Sequence, residues 1–232
     1  MVNSVDDLCA LAGLSSDRAR ALTNRHFSRE RFRELYLGPG DPPTSTVAVS
    51  ECSFVSCQVD GPFAIADGVH LQSVTFSDVR ALDGMTLSSA SIYDNVVIKG
   101  GRKAAGLWCK PPSHRDMKDA AIEWAREGMA AVDVAIDFSG LAAPEVEVVG
   151  IPTSKLRWDP ELHIRVSTSW EKSEHWDALE LSEKGVWRFN LRRLRQFKCD
   201  EGVFSLPVRG DRHYLADMEE LARLESAGLL RR

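Results

Sequence analysis

Between Val47 and Ile98 the apolar and polar positions fall into five-residue words, CSFVS, CQVDG, FAIAD, VHLQS, VTFSD, VRALD, MTLSS, ASIYD and VVIKG, with single-residue spacers after some of them. The third residue of each word is apolar (Phe54, Val59, Ile65, Leu71, Phe76, Ala81, Leu87, Ile92, Ile98), and so is the first, from Cys52 and Cys57 to Val96. The residue between them, as in Ser53, Gln58, Thr75 and Arg80, is mostly polar. That is the period-2 pattern of a strand with one buried face. Successive third residues are 5, 6, 6, 5, 5, 6, 5 and 6 apart, so four words occupy 22 residues and Phe54, Phe76 and Ile98 come into register. Four short sides per turn predict a square β-solenoid, with Val47 and Val49 as a weaker opening word. Roughly two and a half coils result, near the lower limit at which stacked repeats bury a continuous core.

The flanks change period. Ser4 followed by Asp7 predicts a capped helix over Val5 to Ala12 ended by Gly13, a second helix follows Ser15 or Ser16, and a third starts at Ser28 with Phe32, Leu35 and Tyr36 on one side. Gly38, Pro39, Gly40, Pro42 and Pro43 then form a linker. Beyond Gly100 and Gly101, Ser113 caps a helix reaching about Ala130, with Met117, Ala121, Trp124 and Gly128 along one stripe. Alternation predicts strands through Val132, Val134, Ile136 and Phe138, through Val146 and Val148, through Leu162, Ile164 and Val166, and through Trp187, Phe189 and Leu191. A strand near Val203 to Val208 and a helix from Asp211 to Ala227, stopped by Gly228, complete this part. The expected organisation is a helical N-terminal cap over 1–43, the solenoid over 44–101, and an α+β domain with an antiparallel sheet over 102–232. Helices on either side would cover the strand edges that a solenoid exposes at its ends.

The words from 47 to about 100 resemble the pentapeptide-repeat family, whose members are right-handed quadrilateral β-helices with a bulky apolar residue at the centre of each five. The resemblance implies a mainly β fold with a short right-handed β-helix. It departs from the family at Phe63, Val69, Val74 and Met85, which are larger than the small residue preferred two positions before the centre. Some members resemble duplex DNA and occupy a topoisomerase. Here the column would be roughly 12 Å tall at about 4.8 Å per coil, too short to imitate much duplex.

Charge sharpens that expectation. Of the net −5, residues 1–46 contribute six bases against six acids and residues 99–232 contribute 22 against 22. Residues 47–98 carry Glu51, Asp60, Asp67, Asp78, Asp83 and Asp94 against Arg80 alone, so the whole excess lies on the repeat. An acidic outer surface at Asp60, Asp78, Asp83 and Asp94 would engage a basic protein partner. With 44% hydrophobic and 27% charged residues in 232, the composition is that of a water-soluble globular protein. No apolar run reaches the roughly twenty residues of a membrane span, and the first residues lack a secretory signal. Five unevenly spaced cysteines read as reduced thiols. A cytoplasmic bacterial protein is expected.

Motifs for chemistry are sparse: there is no phosphate loop, HExxH, GxSxG or CxxC, and no cofactor is implied. The primary expectation is a non-catalytic module that binds and modulates a partner, of the immunity, inhibitor or topoisomerase-modulator type, with self-association open. One alternative is a DNA-binding helix-turn-helix, in which Leu8, Ala12, Gly13, Leu14, Ala19 and Leu22 shape the turn and Arg18, Arg20 and Arg25 meet nucleic acid. A second is a metal-dependent hydrolase, with Asp133 and Asp137 on one strand face and Glu147 on the next.

Overall fold

The computed structural model describes residues 19–38, 46–112 and 118–230. Within them the chain is mostly β, with parallel and mixed sheets and few helices. It visits four sheets, numbered I to IV, in a fixed order and adds one strand to each at every visit. The first round is β1 (Ala19–Thr23), β2 (His26–Ser28), β3 (Arg31–Phe32) and β4 (Leu35–Leu37). The second is β5 (Thr46–Ser50), β6 (Ser53–Val55), β7 (Gln58–Val59) and β8 (Phe63–Ile65). The third is β9 (Val69–Gln72), β10 (Thr75–Ser77), β11 (Arg80–Ala81) and β12 (Met85–Ser88). In the fourth, β13 (Ile92–Asp94) and β14 (Val96–Lys99) are followed by a turn over 101–104 where sheet III would gain a strand, and then by β15 (Leu107–Lys110).

Helix α1 (Lys118–Ala130) then packs on β13, at the end of sheet I. Strand β16 (Ile136–Asp137) adds to sheet II, β17 (Val146–Val149) to sheet IV and β18 (Leu156–Arg157) again to sheet II. Strand β19 (His163–Ser167), helix α2 (Val186–Phe197), strand β20 (Glu201–Ser205) and helix α3 (Tyr214–Ser226) follow. The sheet orders are β1-β5-β9-β13, β18-β16-β14-β10-β6-β2, β11-β7-β3 and β19-β20-β17-β15-β12-β8-β4. Every pairing is parallel except those of β20 with β17 and β19.

The register is the one the word spacing demands. Phe54 pairs with Phe76 and Phe76 with Ile98, and Phe27 precedes Phe54 in the same column. The rings stack at centroid separations of 4.9 Å (Phe27 to Phe54) and 5.1 Å (Phe54 to Phe76). Corners repeat as well. Asn24, Glu51, Ser73 and Asn95 turn the chain from sheet I to sheet II, and Arg29, Ser56 and Asp78 from II to III, all with left-handed backbone at φ between 50° and 59°. Few side chains other than Asn and Asp favour that conformation. Each such turn is offset by a backbone bond to the next round, as from Glu51 N–H to Gln72 O (2.9 Å) and from Ser73 N–H to Asp94 O (2.8 Å).

Several expectations are corrected. Residues 26–37 form β2 to β4, not a helix from Ser28. Phe32, Leu35 and Leu37 are buried in the common core while Tyr36 faces out, so the segment is read in steps of two. The proposed helices over Val5–Ala12 and after Ser15 lie outside the described residues, as does the cap at Ser113. The expected boundaries at 43 and 101 fall within sheets that run across them, since β2 pairs with β6 and β12 with β15. Trp187, Phe189 and Leu191 stand on helix α2, not on a strand: Trp187, Leu191 and Leu194 recur at helical spacing and are buried, whereas Phe189 is 49% exposed. Of the strand expected over 132–138 only Ile136 and Asp137 pair.

Two cores share sheet IV. One runs through all the rounds, from Leu22 to Val148 and Val203. The other lies on the opposite face, where Val149, Ile164, Val166 and Phe204 meet Trp187, Leu191, Leu194, Leu221 and Leu224 of α2 and α3. Alternation along β17 and β20 sends neighbouring side chains to different cores.

Candidate functional surface

From Val47 to Ile98 the inward positions are filled by apolar side chains, so the charged residues of that stretch lie on the outer faces and at the corners. Among the described residues sheet III is the shortest of the four, with three strands, and it gathers three of the four acidic residues singled out from the sequence. Asp78 turns the chain into β11, Asp60 directly follows β7, and Asp83 follows β11 beside the exposed Leu82. Asp94 is placed elsewhere, at the end of β13 in sheet I, where its carboxylate accepts from Gln72 Nε2 at 2.9 Å. The four carboxylates therefore do not form one patch.

Between the acids of sheet III runs a column of outward positions, Arg31, Gln58 and Arg80, in register. Arg31 Nε donates to Asp60 Oδ2 at 2.5 Å and Gln58 Nε2 to Asp60 Oδ1 at 2.8 Å. The Arg31 hydrogen bond holds the Asp60 carboxyl below its ordinary range. Beyond β11 the turn over 101–104 takes the place of a fourth strand. It is tied down on both sides: Asp78 N–H donates to Lys99 O (2.8 Å), Gly101 N–H to Asp78 Oδ1 (3.2 Å), Ala104 N–H to Gly101 O (2.8 Å) and Ala105 N–H to Val79 O (2.9 Å). The missing strand leaves a groove of about 590 Å³ floored by Cys57 and Gln58 and bordered by Arg80, Arg102 and Lys103. Sequence reading did not single out these cations. The available signal was that Arg80 is the one base between 47 and 98, and that Arg102 and Lys103 follow a Gly-Gly pair.

A second groove of about 560 Å³ lies where the end of α1 meets the corner of sheets I and II, lined by His70, Asp94, Asp133 and Arg157 among others. Burial lowers the affinity of the His70 imidazole for a proton, with Asp94 opposing that shift. Helix α1 reaches the sheet through Gly128, where a Cβ would stand 2.1 Å from Ile92 Cδ1.

The residues proposed for metal-dependent hydrolysis are not brought together. Asp133 lines the second groove, Asp137 Oδ1 accepts from the Ser139 N–H (3.0 Å) and hydroxyl (2.7 Å), and Glu147 is held by Arg193 Nη2 at 2.8 Å on the outer face of sheet IV. Among the described residues no group of three or more His, Cys, Asp or Glu is placed to hold a metal ion. The reason is topological: β16 and β17 belong to different sheets, so an expected strand-to-strand neighbour lies around a corner. The helix-turn-helix reading is corrected as well. Arg20 lies within strand β1 and Arg25 at the exposed corner after it, not on a recognition helix, while Arg18 is outside the described residues. Arg188, Arg192, Arg193 and Arg195 lie on α2, with Arg188 paired to Glu183 (3.0 Å), Arg193 to Glu147 and Arg195 to Glu171 (2.5 Å).

No family model, curated protein or solved structure matches the chain. No helix among the described residues is long and apolar enough to cross a membrane.

Proposed function

We propose that the repeated rounds are a short right-handed β-helix of the pentapeptide-repeat kind, and that the protein is a non-catalytic cytoplasmic module that binds and modulates a basic protein partner. The 22-residue register of Phe54, Phe76 and Ile98 and the recurring left-handed corners support the helical reading. The free thiols of Cys52, Cys57, Cys109 and Cys199 suit a reducing compartment. The functional reading is carried by one observation: Asp60, Asp78 and Asp83 border a single short sheet, on rigid strands whose opposite face is packed core. Acids held on such a frame lose little entropy on docking. The partner class is of the immunity, inhibitor or topoisomerase-modulator type.

Reversal of Asp60 and Asp83 to Lys tests this without disturbing Asp78, whose carboxylate holds the next turn in place. A partner captured from native cells by the wild-type chain is expected to be lost from the double variant, with the circular dichroism unchanged. Equal capture by both would refute the sheet III surface. The same experiment on Asp94→Lys separates that surface from the corner near α1.

A further inference from the structure

We propose that the groove beyond β11 is a binding site for a small phosphate-bearing molecule. The chain builds this groove by omitting a strand. Sheets II and IV continue past the fourth round, whereas among the described strands sheet III stops at β11, and Arg102 and Lys103 of the turn over 101–104 line the groove beyond it. Both feet of the turn are bonded to the corner at Asp78 and Val79, so the two cations are presented by a braced loop.

The charges point to an anion. Arg80 is the one base in the acidic stretch from 47 to 98, and Arg102 and Lys103 line the same groove. Elsewhere on this sheet the arginine is neutralised, Arg31 by Asp60. Among the described residues, Arg80, Arg102 and Lys103 form no ion pair, and the carboxylate that shares their groove, Asp78, is turned to the Gly101 N–H. Three cations and one carboxylate leave two positive charges in the groove, the complement of a phosphate dianion. Two guanidinium groups offer planar forks that match phosphate oxygens, and the ammonium adds a point charge. The Ser56 hydroxyl and the Gln58 amide lie along the same groove, where they would meet polar groups on the remainder of the ligand. A volume of about 590 Å³ is that of a site for a molecule of nucleotide size.

Calorimetric titration of the full chain at low salt with inorganic pyrophosphate, ADP and adenosine tests the site. Pyrophosphate and ADP are expected to bind saturably, more weakly as chloride is added, and adenosine to give no heat. The R102E/K103E variant should lose at least about tenfold in affinity, since charge-assisted bonds to phosphate are removed. Arg212→Glu, an exposed change remote from the groove in sequence, should lose less than about threefold. Absence of pyrophosphate binding at millimolar concentration, equal affinity in R102E/K103E, or an equal loss in Arg212→Glu would overturn the site. Retardation of duplex DNA without pyrophosphate binding would replace it with a nucleic-acid surface. Loss of the captured protein partner on D60K/D83K leaves these outcomes independent, because those residues do not line the groove.

Discussion

Gly128→Ala sets two effects of known sign against each other. Toward the end of α1 a glycine is less favourable than alanine by about 0.5–1 kcal/mol, so substitution on an isolated helix would stabilise it. On this helix the added methyl would stand 2.1 Å from Ile92 Cδ1 and 2.7 Å from Ile92 Cγ1. Rotation about χ2 moves Cδ1 away, but Cγ1 is set by the stiff χ1 of a β-branched residue in a strand. Overpacking of this kind costs about 1–3 kcal/mol, so the net expectation is a loss of up to about 2.5 kcal/mol. Ile92→Ala, which itself costs about 2–4 kcal/mol, deletes all three of the nearest atoms. In that background Gly128→Ala should become stabilising, by up to about 1 kcal/mol. Urea denaturation of the four proteins, followed by circular dichroism and by tryptophan fluorescence with Trp124 on the same helix, measures the cycle. Stabilisation by Gly128→Ala in the wild-type background, or destabilisation of equal size in both, would refute the close docking of α1 on β13.

Phe54→Ala should cost about 3–5 kcal/mol in the same urea assay, because it opens a cavity in the column and breaks the stacks with Phe27 and Phe76; a loss under about 1 kcal/mol would show that the column is not packed as described. His163 is buried at 1% exposure with no hydrogen-bond partner for either ring nitrogen among the described residues, edge-on to Phe138, and burial pulls its pKa down to about 4. The unfolded chain therefore binds a proton below about pH 6.5 that the folded chain refuses until about pH 4. Stability is full above the higher value and falls as pH drops through that window, by up to about 3 kcal/mol. His163→Phe should remove this component, and an unchanged difference in stability between pH 7 and pH 4.5 (roughly spanning the window) would contradict it.

How much was legible depended on where a residue sits in the stack. From Val47 to Ile98 consecutive rounds stack on one another, the first and third positions of every word are buried except the half-buried Ala81, and the period emerges from the sequence. The preceding round obeys the same rule at its third positions, since Leu22, Phe27, Phe32 and Leu37 lie five apart. Its first positions break the pattern. By register Arg20, Arg25 and Glu30 stand where Val47, Cys52 and Cys57 stand one round later. Charged residues there erased the alternation, and the helical reading of 28–36 followed from what remained. Beyond 101 the chain inserts α1 and longer loops between strands that still add to the same sheets, so a constant spacing no longer announces them. Local pattern also misread α2, where Trp187, Phe189 and Leu191 alternate as in a strand while Trp187, Leu191 and Leu194 satisfy a helix.

By itself the sequence determined the four-sided period, the inward residues of the central rounds, and the concentration of acid on them. Those are properties of short-range alternation, carried by each word independently. Only the tertiary structure decided which outer residues share a side. It separated Asp94 from Asp60, Asp78 and Asp83, dispersed Asp133, Asp137 and Glu147, and assembled Arg80 with Arg102 and Lys103 where one sheet lacks its fourth strand. Neighbours across a sheet lie a full round apart in the chain, and their proximity follows from how many residues each round consumes.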